Sequence, residues 1–220
     1  MVHMTNLVTR TRNSFFSFLL IISGISFFLY PSIRPFSDET SLQGATAFAS
    51  VEWLISHLLA ILAFTLLPVS FLGVYRSLED KFVKSIAFVA LILSILSIGL
   101  ILPFYGGEVY GLHALGKGAL MEKLTDMSFL ATIIRSGPGL ILFLIGLLVL
   151  AVTSIILSVA LWRSRIYSKW SGIPFVVGIS LFIPQFFWDQ PLRVAHGLLV
   201  ALGCIWIAVE MARHGKRVSE

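Results

Sequence analysis

The 220-residue chain reads as an all-α integral membrane bundle of six transmembrane helices, and three observations lead there. It is 57% apolar and only 12% charged, which leaves too little polar material to cover a soluble globule. The apolar residues fall into six runs, at about 14–30, 49–75, 83–103, 138–162, 170–187 and 190–212, each near the ~20 residues a helix needs to cross a ~30 Å hydrocarbon core. Stretches such as 140–150 (LILFLIGLLVL) lack the alternation of a membrane barrel, so only helices can satisfy their backbone in lipid. Finally, eleven of the sixteen Lys and Arg residues lie on one side of the runs, against four acidic residues there. The other side carries five basic and seven acidic residues. This asymmetry predicts both termini in the cytoplasm, in the plasma membrane of a bacterium, with the bilayer rather than nucleic acid as partner of the +5 net charge.

Each element follows in order. Arg10 and Arg12 precede the first run in the manner of a signal peptide, but the small-x-small site Ala47-Phe48-Ala49 lies too far beyond it, so the first run is expected to stay as an anchor. Tyr30-Pro31 and Pro35 are expected to end it. The second run carries Pro68, which predicts a kink near Phe64, and the turn Glu79-Asp80-Lys81 leads into the third. That run is expected to end at Pro103, ahead of Gly106-Gly107. In 104–137, Leu112, Leu115, Ala119, Met127, Leu130 and Ile134 recur at helical spacings with Lys117, Glu122, Lys123 and Asp126 between them. The pattern predicts an outer amphipathic segment between helices three and four. Ser136-Gly137-Pro138 opens the fourth helix, and Trp162, Arg163, Arg165, Tyr167, Lys169 and Trp170 form an inner basic and aromatic belt. Pro174 and Pro184 bracket the fifth helix, Trp188-Asp189-Gln190-Pro191 turns into the sixth, and the single Cys204 excludes an internal disulfide. The whole chain is expected to form one six-helix domain.

One set of residues carries chemistry. Glu52 and His57 open the second run, Glu108 and His113 follow the third, and Asp189, Arg193 and His196 open the sixth, all in the outer half. Spacings of four and three put Asp189, Arg193 and His196 on one helical face. An ionisable group inside a span is costly, so it faces the bundle interior or a wet cavity. These seven residues therefore predict an outward-facing His and carboxylate pocket for a small molecule, a lipid or a metal ion. If His57, His113 and His196 converge they make a zinc site, with Glu52 or Glu108 as general base to a bound water, hence an intramembrane hydrolase. Two axial histidines would instead hold haem in an electron carrier, with Arg135 or Arg193 on the propionates. A third reading is structural: the polar cluster only fixes helix register. No HExxH, CxxC, GxSxG or phosphate-loop motif singles out any of these.

Overall fold

The computed structural model describes residues 2–39, 41–122 and 128–217, and all regular structure among them is helical. The helices are α1 (Val2–Ile33), α2 (Leu42–Ala49), α3 (Val51–Ser77), α4 (Lys81–Gly106), α5 (Leu112–Glu122), α6 (Ser128–Ile134), α7 (Gly137–Arg163), α8 (Ile173–Ser180) and α9 (Gln190–Arg217). A π turn over Gly107–Gly111 joins α4 to α5, and a 3-10 turn over Pro184–Phe187 follows α8. Five helical runs are long and apolar enough to cross a membrane: the part of α1 from Asn13, then α3, the continuous stretch Lys81–Glu122, α7 and α9.

These elements close into a ring in which each packs on the next: α1 on α3, α3 on α4, α4 on α7, α7 on α8, α8 on α9, and α9 back on α1. Inside lies a core led by Phe27, Phe64, Leu67, Tyr105, Phe143, Phe175 and Phe182, all buried. Outside, α7 presents Ile141, Ile145, Leu148, Val152, Ile155 and Val159 at alternating steps of four and three, an exposed apolar stripe suited to lipid. Serines tie neighbours together: Ser23 Oγ donates to the Ala63 carbonyl and Ser97 Oγ to that of Gly146, both at 2.7 Å. The end of α9 reaches back to the start of the first span, where Gly215 lies against Asn13. Both ends of the described chain are thus at the same end of the ring.

Local chemistry shifts several expected boundaries. The helix expected from 49 is divided by Ser50, whose extended backbone and side chain, accepting from Trp53 N–H at 3.1 Å, start α3 afresh. Asp80 caps α4 in the same way through Val83 N–H at 2.8 Å. Pro31 does not end α1, which continues to Ile33, with Arg34 N–H bonded to the Tyr30 carbonyl. The proline removes only the bond to the Phe27 carbonyl, and α9 packs against that carbonyl at Gly197, where a Cβ would come within 2.6 Å of the oxygen. Pro103 likewise sits inside α4, and the chain expected to turn there stays helical to Glu122. Beyond the π turn, α5 buries Leu112, Gly116 and Ala119 against Ala45 and Phe48 of α2. Lys123, Asp126 and Met127 of the expected amphipathic segment lie outside the described residues.

The largest departure is at 170–187. No continuous helix forms: α8 holds eight residues, the chain turns at 181–183, and Pro184 starts the 3-10 turn. The peptide groups left over are satisfied by side chains of the flanking helices. Phe182 N–H bonds the Ile179 carbonyl, leaving that of Gly178 to accept from His196 Nε2 at 2.7 Å. Arg193 donates to the carbonyls of Phe186 at 2.6 Å and Trp188 at 2.9 Å, and Ser158 Oγ donates to that of Gly172 at 3.1 Å. Irregular backbone at membrane depth is tolerated where neighbouring protein pairs it in this way.

Candidate functional site

The site lies at the end of the ring that gathers the C-terminus of α1 and the N-termini of α3, α7 and α9. There the π turn places Glu108 on the inner side of the α4–α5 run. Its wider coil leaves the Glu108 carbonyl to the indole of Trp53, which donates at 2.8 Å. The Glu108 carboxylate takes a two-pronged contact from Arg135, at 2.6 Å from Nε and 2.9 Å from Nη2, while Nη1 of the same guanidinium binds Glu39. Glu39 also accepts from Arg34 Nη2 at 2.5 Å. The result is a chain of alternating charges, Arg34, Glu39, Arg135, Glu108, drawn from three separate parts of the sequence. Burial works against the Arg135 cation, but bonding to Glu108 and the charges of Glu108 and Glu39 outweigh it and hold its pKa above the ordinary arginine value.

Aromatic rings frame the charges. The Arg34 guanidinium lies 4.7 Å from the ring centres of both Phe36 and Trp53, Arg193 lies 5.2 Å from Phe36, and Arg135 lies 5.5 Å from Phe48. Between this ionic edge and an apolar wall of Phe104, Leu140, Phe143, Leu144, Ile183 and Phe186 opens a cavity of about 710 Å³. That is within the ~300–1,000 Å³ typical of small-molecule sites. Tyr30 and Tyr105 also line it, with the Tyr105 side chain buried.

The seven residues singled out by sequence divide between this cavity and other places. Glu108 and Arg193 line it. His57 is buried directly behind: a carbonyl can only accept, so Nδ1 carries the proton donated to the Trp53 carbonyl at 2.8 Å, and Nε2 lies 3.5 Å from the Glu108 carboxylate. Glu52 is exposed, turned away from the face of α3 that buries Trp53 and His57. His113 is half-buried, bonded through Nδ1 to the Phe48 carbonyl at 2.8 Å. Asp189 is exposed and accepts from Leu192 N–H at 3.4 Å at the start of α9, and His196 faces Gly178. The expected meeting of His57, His113 and His196 on a metal is not found: among the described residues no three His, Cys, Asp or Glu side chains group as metal ligands. Each of the three rings instead serves a different carbonyl.

Arg34, Glu39, Tyr30, Tyr105 and the aromatic wall are not among the site residues the sequence marks; Arg135 is marked only as a partner, for haem propionates or for the acids of a structural cluster, and it is Glu108 that it meets. Arg34 and Glu39 stand five apart just past the first span, and an arginine so close to a span end, followed by an acid, is the sequence signal that marks the site. Comparison with known protein families, curated proteins and solved structures gives no match to this chain.

Proposed function

We propose that this is a six-span membrane protein, both termini cytoplasmic, whose cavity opens on the external side and binds a small amphipathic molecule. The orientation rests on the eleven-to-five split of basic residues. The sixth crossing is the interrupted stretch 172–187, which joins the end of α7 near Ser158 to the start of α9 and fills the last place in the ring. The observation that carries the binding function is the cavity itself, with an aromatic and aliphatic wall facing an edge of paired charges.

Binding is tested by thermal denaturation of the purified protein against a panel of amphipathic compounds, with Leu144→Trp as a variant that fills the cavity from its apolar wall. Ligands raise the melting temperature of the wild type and leave Leu144→Trp unmoved. Equal shifts in both proteins would place binding elsewhere. A second reading has its own observation, the Arg34–Glu39–Arg135–Glu108 chain: the cluster acts as a clasp between α1, the π turn and the start of α7. In that case Glu108→Gln lowers the melting temperature and no compound raises that of the wild type.

A further inference from the structure

We infer that the ligand of this cavity is an anionic amphiphile, a carboxylate or phosphate head on a hydrocarbon tail, received by Arg34 and Arg193; this rests on the cavity being a binding site. An account of donors leads to the head group. Arg135 has all three nitrogens on Glu108 and Glu39. Arg34 commits only Nη2, to Glu39, and Arg193 commits Nε and Nη2 to two carbonyls. Arg34 Nε and Nη1 and Arg193 Nη1 make no bond to another described residue, and both side chains line the cavity. Glu39 and Glu108 are taken up by Arg34 and Arg135, and Asp38 stands exposed at the rim. Among the described residues Arg193 pairs with no carboxylate.

Both guanidiniums also lie against the ring of Phe36, at 4.7 and 5.2 Å from its centre. Two cations lining one cavity, one of them buried, with N–H groups that no described residue takes up, offer forked donors to an oxyanion and repel a cationic head. Opposite, the stacked rings of Phe104 and Phe143, 4.3 Å apart, with Leu144, Ile183 and Phe186, give a tail an apolar surface. A free inorganic anion would leave that wall empty, and a neutral lipid would leave the fork empty.

The test compares three probes on the full chain in a neutral detergent: dodecyl phosphate, dodecanol and inorganic phosphate. Dodecyl phosphate raises the melting temperature saturably, by about 5 °C or more at a hundredfold excess over Kd. Dodecanol binds at least about tenfold more weakly, and phosphate alone gives no comparable shift. Arg34→Gln and Arg193→Gln each weaken dodecyl phosphate about tenfold and leave dodecanol unchanged. Because Arg193 also holds two carbonyls, its variant can fail to fold, and the wild-type comparison of phosphate with alcohol then decides alone. Equal protection by dodecanol and dodecyl phosphate overturns the anion. If Leu144→Trp still abolishes both in that case, the cavity reading survives; if it abolishes neither, that reading falls too. Lipid extraction separates the sources: an anionic phospholipid retained by the wild type and lost from Arg34→Gln identifies a membrane lipid, whereas dodecyl phosphate binding with none retained identifies a free amphiphile.

Discussion

Arg135 joins two carboxylates that are far apart in sequence, and its removal would leave Glu108 without a guanidinium and Glu39 with Arg34 alone. A buried ion pair adds little net stability, but breaking one side of it is costly because the other charge stays behind. Arg135→Ala is therefore expected to destabilise the protein by about 3 kcal/mol, and Arg135→Lys by less, since the ammonium keeps the charge but not the two-pronged geometry. Adding Glu108→Gln to Arg135→Ala recovers part of the loss; additive losses in a double-mutant cycle of denaturation would contradict the pairing. At this scale the sequence was informative about depth and, within one helix, about relative azimuth, since five residues of helix separate Glu52 from His57 by ~140°, but it did not say how one element turns against the next. Glu108 and Glu52 are both acids near the ends of spans, yet one is buried and the other exposed. The difference is set by how α3 and the π turn rotate in the packed ring, and no local pattern encodes that. The fate of the histidines was hidden for a related reason: His196 is claimed by a carbonyl freed in a different helix.

Helix contacts depend on how closely backbones approach, which glycine decides at a few points. A Cβ on Gly203 would come within 2.6 Å of the Phe175 Cα, and backbone cannot move aside as a side chain can. Gly203→Ala is expected to separate α8 from α9 at a cost of about 2 kcal/mol or more, whereas Gly99→Ala meets nothing within 4 Å and gains about 0.5 kcal/mol from helix propensity. Melting temperatures of the two variants check this, and a neutral Gly203→Ala would refute the close approach. The all-helical character and the five long apolar helices were legible in the continuous hydrophobic runs. Pro68 was read inside its helix, where it lies, but the other prolines were harder to read. Pro31, Pro68 and Pro103 lie within helices because each removes a single bond, while Pro174 and Pro184 bound a short helix and a 3-10 turn. What separates the cases is the presence of donors on α7 and α9 to meet the irregular carbonyls, a tertiary fact.

For the whole molecule, the proposed orientation is checked by labelling with a membrane-impermeant maleimide in a Cys204→Ala background. Ser37→Cys and Gly118→Cys are expected to react in intact cells and Ser168→Cys only after permeabilisation; the reverse pattern would invert the protein. The interrupted stretch between α7 and α9 has a consequence in time rather than in space. A continuous helix closes its own hydrogen bonds as it leaves the ribosome, but the carbonyls of Gly178, Phe186 and Trp188 find their donors on His196 and Arg193, which are synthesised later. Ser158, already made, can meet only Gly172. The order of synthesis thus becomes an order of assembly: the later helix α9 is the one that fixes its predecessor, and the ring closes only once α9 has been made.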